Sequence, residues 1–343
     1  MRIAIYNSSQ GFAPDWVEYC KKNGIDYKLV DVYASDIINQ LEDCDAFMWH
    51  HHHGDYRDIL FAKQLLAAVE ESGKIVYPDF RTGWHFDDKV GEKYLFEALN
   101  LPLVPSYVFY DKQTALEWTD STAFPKVFKL RGGAGSMNVF LAKNRHSAQK
   151  LILKAFSSGF NAFRPIDYFK DRYNKWRQGN DSFTGVLKSL YRFIIKPQNS
   201  KMFPVQRGYA YFQEFMPDNE YDTRVVVIDG KYALAEKRYV RKGDFRASGS
   251  GNFDYDDIDT NIVKIAFESA KKLKVQSVAF DFIYDTERNP KIVEICYGFG
   301  TKGLKKAPGY WTDDMDWHIG TIDFCGLMVK NVIDTIINKT NEY

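Results

Sequence analysis

Residues 277–298, SVAFDFIYDTERNPKIVEICYG, decide the fold of this chain. Apolar and β-forming residues fill 278–284 and again 291–296, and the polar segment between them ends in a proline, which predicts two short strands joined by a turn. Asp281 interrupts the first strand and Glu294 the second. A carboxylate inside an apolar strand is costly unless it is paired or bound to a metal. Two interpretations fit: a divalent cation such as Mg²⁺ between the carboxylates, or two salt bridges at the rim of a sheet.

The whole chain sets broad limits. Its 343 residues are enough for two or three domains, and its formal net charge of +1 gives no reason to expect a nucleic-acid partner. The start, MRIAIYNSSQ, predicts a strand and not a signal peptide, and no apolar run approaches the roughly 20 residues of a membrane helix. The four cysteines have no metal or redox spacing, which favours a reducing cytoplasm.

Residues 1 to about 85 alternate between strand and helix patterns. Strands are predicted at 2–6, 27–30, 46–49 and 75–77, with helices between them. Such repeats indicate a parallel sheet covered by helices on both faces, and ligands of these sheets bind beyond the carboxyl ends of the strands. The run His50-His51-His52-His53 lies at one such end. At most two of these side chains could share a metal ion. A loop that faces the substrate is the favoured interpretation, and surface exposure is the alternative.

A glycine-rich turn follows within residues 124–143, FPKVFKLRGGAGSMNVFLAK. Strands predicted at 127–130 and 139–141 flank the turn, which contains Gly133, Gly135 and Ser136. Backbone N–H groups of such a turn can cover phosphates, and Lys129 would add a positive charge. The segment is not a Walker A loop, because no Gly-Lys-Ser/Thr follows. A plain hairpin is the alternative interpretation.

Between about residues 160 and 207 the regular pattern breaks down. Ten basic residues face three acidic ones here, with aromatic residues among them. The functional interpretation is a surface for an anionic substrate, such as a uronic acid, a phosphorylated sugar or a lipid-linked glycan, and the alternative is a solvated basic face. The sequence carries no RNA-binding signature.

With these pieces in order, the chain resembles the ATP-grasp proteins over essentially its whole length. KVFKLRGGAGSMNV (126–139) resembles the first lid hairpin, and YFQEFM (211–216) resembles the hinge strand that contacts adenine. YDTRVVVIDGKYALAEKR followed by GDFRASGSG (221–251) resembles the central strands of ligases that add glutamate to a ribosomal protein. AFDF and VEIC, within 279–296, resemble the two metal-ligand strands. The basic insertion and the tail 297–320 look like uncharacterised ATP-grasp proteins encoded beside surface-polysaccharide genes.

The resemblance implies a fold of the α/β and α+β classes, an ATP-grasp fold with an N-terminal parallel-sheet domain. The implied domains are a pre-ATP-grasp domain at 1–85 and an ATP-grasp domain at 86–343. Within the second, the lid would cover about 104–212, with the basic insertion at about 160–207, and a central metal-binding subdomain would cover about 213–343.

The resemblance also implies a site. The residues that would contact the nucleotide are Lys89, Lys129, Gly133, Gly135, Ser136, Gln213, Glu214, Phe215, Met216, Asp222 and Lys237. Of these, the lysines would contact the phosphates, 213–216 would line the adenine slot, and Asp222 would accept from the ribose hydroxyls. Asp281 and Glu294 would hold Mg²⁺. Arg246, together with Lys237, would lie where an acyl phosphate forms.

One position departs from the family pattern. Such proteins usually carry Glu-x-Asn on the metal strand, whereas this chain has Glu294-Ile295-Cys296, and a thiol is a poor Mg²⁺ ligand. The number of metal ions is therefore left open, and a nucleotide-binding protein without turnover remains an alternative.

The activity implied is that of an ATP- and Mg²⁺-dependent carboxylate–amine ligase, which forms an amide through an acyl phosphate. Its expected partners are a small-molecule or glycan carboxylate, such as a uronic acid or another surface-polysaccharide precursor, and an amine. A kinase or a carboxylate–thiol ligase on the same fold is the alternative, and a homodimer is left open.

Overall fold

The described residues form three β-sheets. The computed structural model describes residues 1–133, 138–161, 165–177, 182–192, 202–240 and 252–341. The helices are α1 (Ala13–Asn23), α2 (Ile37–Gln40), α3 (Tyr56–Glu71), α4 (Phe80–Gly83), α5 (Lys89–Ala98), α6 (Lys112–Ser121), α7 (Arg145–Ala155), α8 (Pro165–Arg177), α9 (Phe183–Tyr191), α10 (Thr260–Leu273) and α11 (Phe324–Asn341). The strands are β1 (Ile3–Tyr6), β2 (Tyr27–Val30), β3 (Ala46–Met48), β4 (Ile75–Tyr77), β5 (Ser106–Phe109), β6 (Lys126–Lys129), β7 (Phe140–Ala142), β8 (Ala210–Glu214), β9 (Tyr221–Ile228), β10 (Tyr232–Tyr239), β11 (Phe253–Asp254), β12 (Ser277–Tyr284), β13 (Pro290–Cys296), β14 (Gly309–Thr312) and β15 (Trp317–Ile319).

The N-terminal sheet is parallel, with the strand order β2-β1-β3-β4. Its two central strands, β1 and β3, are apolar along their length because both of their faces are covered. Ile3 and Ile5 pack with Trp16 of α1 on one face, while Ala4 packs with Leu66 of α3 on the other. This arrangement confirms the parallel N-terminal sheet predicted from the repeated strand and helix patterns.

A second sheet, which we call the lid sheet, has the order β5-β8-β6-β7 and is antiparallel. Its core contains Phe128 of β6 and Phe212 of β8, whose rings lie 5.3 Å apart between centroids. Ala115 of α6 and Ile152 of α7 belong to the same buried cluster. The glycine-rich turn joins β6 to β7, and its residues 134–137 lie outside the described part of the chain.

The central sheet has the order β13-β12-β9-β10-β14-β15, with β11 paired to β10. Asp229 and Gly230 both have positive φ and are the central residues of the tight turn between β9 and β10, which the Lys231 N–H closes by donating to the Ile228 carbonyl. One face of the sheet packs against α10, and the other packs toward the N-terminal sheet and α11. The β12–β13 hairpin predicted from residues 277–298 is present, with a register shift after Asp281.

The basic insertion contains regular structure that the sequence did not predict. Its described part forms α8 and α9, which pack against each other. In the described residues, no helix combines the length and the apolar character that crossing a bilayer requires.

Candidate active site

Four charged residues lie in one line across the central sheet. In the register of the strands, Glu236 is opposite Arg224, Arg224 is opposite Asp281, and Asp281 is opposite Glu294. Directly opposed residues of adjacent strands share a face, so all four side chains project to the same side. Two of them, Asp281 and Glu294, are neighbouring carboxylates, a pairing that is unfavourable unless positive charge lies close by.

Two arginines with largely buried side chains neutralise the middle of this line. Arg224 donates to both carboxylate oxygens of Asp281 at 2.8 and 2.9 Å, and Arg238 lies 2.8 Å from the same carboxylate. Arg238 also donates to Asp222 at 2.7 and 2.6 Å. Burial alone would raise the pKa of Asp281, but the two guanidinium groups hold that pKa well below its usual range. Asp281 is therefore ionised, and Asp222, which was expected to meet the ribose, is engaged by Arg238.

Two lysines approach Glu294 from outside the central sheet. The Lys89 ammonium lies 3.7 Å from the Glu294 carboxylate and donates to the Gly133 carbonyl at 3.0 Å. The Lys129 ammonium, at the end of β6, donates to the Gln213 side-chain oxygen at 2.6 Å. We call Lys89, Lys129, Gln213 and Glu294 the lysine cluster. It lies where the lid sheet meets β13, because the Gln213 amide also donates to the Val293 carbonyl at 3.4 Å.

Burial affects the two ammonium groups differently. Lys129 is 7% exposed, and burial lowers its pKa to about 8, although Glu294 partly opposes this change. Burial would also lower the pKa of Lys89, but the carboxylates of Glu294 and Asp87 outweigh it and raise that pKa. Lys89 is fixed at the first position of α5, because the Asp88 side chain caps the helix by accepting from the Gly91 N–H at 2.9 Å. Both lysines are thus held in place before any anion arrives.

The hinge strand β8 divides its side chains between two faces. Gln213 joins the lysine cluster, whereas the Glu214 carboxylate accepts from Lys126 at 2.6 Å and from the Tyr107 hydroxyl at 2.8 Å. The carboxylate of Glu214 is therefore already bound by side chains of the lid sheet, Lys126 and Tyr107. Its backbone, together with Phe215 and Met216, remains the predicted adenine contact.

Lys237 is not brought to the lysine cluster. It alternates with Glu236 and Arg238 along β10, so its side chain projects to the opposite face of the sheet, where its ammonium donates to the Asp256 carbonyl at 2.5 Å. The sheet presents Arg238 beside Asp281 instead. Three other predicted site residues, Gly135, Ser136 and Arg246, lie outside the described residues.

Asp281 and Glu294 stay the predicted ligands of one Mg²⁺ ion. The Glu294 side chain is 35% exposed, and Asp281, which receives three hydrogen-bonding or ionic contacts on two oxygens, keeps lone-pair capacity for a metal. Mg²⁺ is commonly bound by one or two carboxylates that share it with phosphates. Cys296 shares this face, but burial raises its pKa to about 12, so it stays a thiol. Within the described ranges, no three His, Cys, Asp or Glu side chains form a group that could hold a metal.

The histidine run joins the N-terminal sheet to the end of β13. The His50 ring stacks on Phe12 with 4.0 Å between centroids, and His51 packs against Tyr297 at 5.1 Å. Burial lowers the pKa of His50 to about 3 and that of His53 to about 4, so both rings are neutral at physiological pH. Their role as a substrate-facing loop stays a prediction.

Some residues of the site were missed from the sequence. Arg224 and Arg238 were not predicted as site residues. Arg224 lies two positions after Asp222 on a predicted strand and therefore on the same face, which could have indicated its role. Glu92 of α5 was also missed. It is buried and accepts from the Ile295 N–H at 3.3 Å, and burial raises its pKa to about 8. No sequence pattern marks Glu92, because only the packing of α5 on β13 brings it there.

Solved structures similar to this chain share one fold. A RimK domain ATP-grasp protein from Sphaerobacter thermophilus DSM 20745 matches with a TM-score of 0.60 and 13% identity, covering 97% of this chain and 100% of that one. D-cycloserine synthetase DcsG matches with a TM-score of 0.59 and 14% identity, covering 98% and 100%. D-alanine–D-alanine ligase from Bacillus anthracis matches with a TM-score of 0.56 and 11% identity, covering 100% and 99%. The chain therefore has the ATP-grasp fold.

The sequence itself carries a more specific match. Residues 193–315 match the family model of the RimK-like ATP-grasp domain, a range that includes β8 to β13 and the line of charged residues. No curated protein matches the chain. This match agrees with the motifs by which the sequence resembles the ATP-grasp proteins.

Proposed function

We propose that the protein is an ATP-dependent carboxylate–amine ligase that uses Mg²⁺. The observation that carries this proposal is that two ammonium groups lie where the lid sheet meets β13: Lys89 is beside Glu294, and Lys129 is held by Gln213, which contacts β13. Two buried ammonium groups beside an accessible carboxylate are suited to a polyphosphate with its metal ion. The relatives with this fold include ligases, which supports the same conclusion.

The first step would be transfer of the γ-phosphoryl group. A carboxylate oxygen of the substrate attacks the γ-phosphorus, a new O–P bond forms, and the bond from that phosphorus to the leaving ADP oxygen breaks. Such transfers depend mainly on positioning and on neutralising charge. Lys89 and Lys129 would neutralise and orient the phosphates. Mg²⁺, held by Asp281 and Glu294, would supply further neutralising charge.

The second step would form the amide. The amine nitrogen attacks the acyl carbon, loses a proton and displaces inorganic phosphate. Water would compete with the amine for the acyl phosphate, so the lid sheet must exclude it during this step. The ten basic residues between 160 and 207 favour an anionic carboxylate substrate, such as a uronic acid or another surface-polysaccharide precursor. The spacing of the four cysteines favours a reaction in the cytoplasm.

A second candidate function is ATP binding without turnover. Two observations favour it: the carboxylate of Asp281 is already bound by two arginines, and a protonated thiol stands at Cys296 where the family has an amide. Either feature could weaken the metal site enough to prevent phosphoryl transfer.

A phosphate-release screen separates these candidates. Carboxylates (uronic acids, amino acids and nucleotide sugars) are crossed with amines in the presence of ATP and Mg²⁺, and products are identified by mass spectrometry. The ligase predicts phosphate release that requires both substrates, together with an amide product. The Glu294→Gln variant should lose this activity, whereas Glu268→Gln, a matched change at an exposed position on α10, should keep it.

Other outcomes would replace the proposal. A phosphorylated product formed without an amine would indicate a kinase, and a thioester would indicate a carboxylate–thiol ligase. If ATP binds, as measured by calorimetry, while no substrate pair releases ADP, the protein is a nucleotide-binding module.

A further inference from the structure

Helix α9 is apolar on two sides. Val186 is buried on the side that packs within the protein. Phe183, Leu187, Leu190 and Tyr191 nevertheless lie 48–56% exposed. Positions i, i+4, i+7 and i+8 form one stripe along a helix, so these four side chains share a face that points to solvent. A helix with one buried face needs no second apolar stripe for folding.

The apolar stripe continues onto α8. The ring of Phe183 lies 5.4 Å from that of Trp176, which lies 5.8 Å from that of Tyr173. Tyr173 and Trp176 are themselves 40% and 37% exposed. We call Tyr173, Trp176, Phe183, Leu187, Leu190 and Tyr191 the α8–α9 surface. Ring contacts join Tyr173, Trp176 and Phe183, and Phe183 begins the exposed stripe on α9, so these residues form one patch and not a set of scattered exposed residues.

Basic side chains accompany this patch. Arg177 follows Trp176, Lys188 follows Leu187, and both are exposed. Arg192 follows Tyr191 and is partly exposed. The insertion as a whole, residues 160–207, has ten basic residues against three acidic ones in a chain whose net charge is +1. Among the described residues, three basic side chains therefore flank the apolar patch.

We propose that the α8–α9 surface binds the interface of an anionic phospholipid bilayer. Apolar side chains, Trp and Tyr rings and flanking basic residues on one helical face are the combination that enters the headgroup region, where apolar groups reach the acyl chains and cations meet anionic headgroups. A second copy of the chain fits this surface less well, because a two-fold contact would bring the same basic residues of both copies together. The proposal does not depend on the ligase activity.

Vesicle flotation with the full chain tests the proposal. Vesicles are made of phosphatidylcholine alone or with about a third of phosphatidylglycerol. We expect binding to the anionic vesicles that is at least about tenfold stronger than to the neutral ones and that weakens at high salt. Leu187→Gln combined with Leu190→Gln should reduce the binding about tenfold or more, because both leucines leave the acyl region. Lys188→Glu combined with Arg192→Glu should reduce it by a similar factor.

Matched controls make the result specific. Leu153→Gln changes a leucine of equal exposure, 49%, on α7, and should bind vesicles like the wild type. Circular dichroism and melting temperature should be unchanged in all variants, because the altered side chains are largely exposed. Absence of binding to anionic vesicles would overturn the proposal, as would equal binding by the double leucine variant. A dimer in light scattering that the leucine changes dissociate would assign the surface to a second copy instead.

Discussion

Replacing Lys129 by Met should remove a cost that the folded protein bears at neutral pH. Burial lowers the pKa of Lys129 from 10.5 to about 8, so holding its ammonium charged at pH 7 costs about 3 kcal/mol. The substitution also leaves the side-chain oxygen of Gln213 without its 2.6 Å donor, which costs about 1–3 kcal/mol. At pH 7 we therefore expect the free energy of unfolding of Lys129→Met to equal that of the wild type or to exceed it by up to about 2 kcal/mol.

The pH dependence isolates the ammonium group. Between pH 8 and 10.5 the folded wild type binds fewer protons at Lys129 than the unfolded chain does, so its stability rises with pH in this window. By pH 9.5 only about 1 kcal/mol of the cost remains. The free energy of unfolding of the wild type, relative to that of Lys129→Met, should thus increase by about 2 kcal/mol from pH 7 to pH 9.5. The cost of leaving the Gln213 side-chain oxygen without a donor is the same at both pH values.

Urea unfolding of both proteins at pH 7 and at pH 9.5 measures how the difference between their free energies of unfolding changes with pH. Other titrating groups are common to the two proteins and cancel. Lys126→Met is a suitable comparison, because Lys126 lies on the same strand but pairs with Glu214 at 2.6 Å, and losing that pair should destabilise the chain at pH 7. A stability difference between wild type and Lys129→Met that does not change with pH would refute the reasoning. The ammonium would then be solvated and not buried for phosphate binding.

Four further outcomes follow from the same site. ATP should bind more weakly above pH 8, by up to about tenfold per pH unit as Lys129 loses its charge, which equilibrium dialysis would show. Glu294→Gln should abolish Mg²⁺-dependent turnover in an enzyme that remains folded by circular dichroism; retained turnover would exclude a metal ligand there. Asp281→Ala should lower the free energy of unfolding by about 3–5 kcal/mol in urea, because two buried arginines lose their carboxylate. Cys296→Asn should tighten Mg²⁺ binding in calorimetry with ADP, since an amide oxygen replaces a thiol; unchanged affinity would place that side chain away from the metal.

Local sequence signals predicted most of the elements that carry the site. The hairpin at residues 277–298, the turn at Asp229-Gly230 and the helix that starts after Asp88 all appear in the structure. Each depends on short-range physics: alternation of apolar residues, positive φ in a tight turn, and a side chain that caps the first helical turn. The helices α8 and α9 were missed, because charged and aromatic residues obscured their period and because much of their apolar surface is not buried.

Short-range sequence patterns could not predict which face of the central sheet each side chain of a strand takes. The resemblance gave a phosphate role to Lys237, but the pairing of β10 with β9 places Arg238 on the face of Asp281. Moving a strand by one residue exchanges its two faces, so the register, and not the motif, decides which of Lys237 and Arg238 lies on the face of Asp281.

The sequence by itself determined the class of fold, the order of its motifs and the two acidic strands, because these follow from local periodicity and from motifs contiguous in the chain. Only the tertiary structure decided which charges meet. Arg224 and Asp281 are 57 positions apart, and Lys129 and Gln213 are 84 apart. Whether Asp281 is a free metal ligand or the centre of an arginine network is therefore set by the register of β9, β10 and β12. That register results from burying the apolar faces of the central sheet, and no local pattern records it.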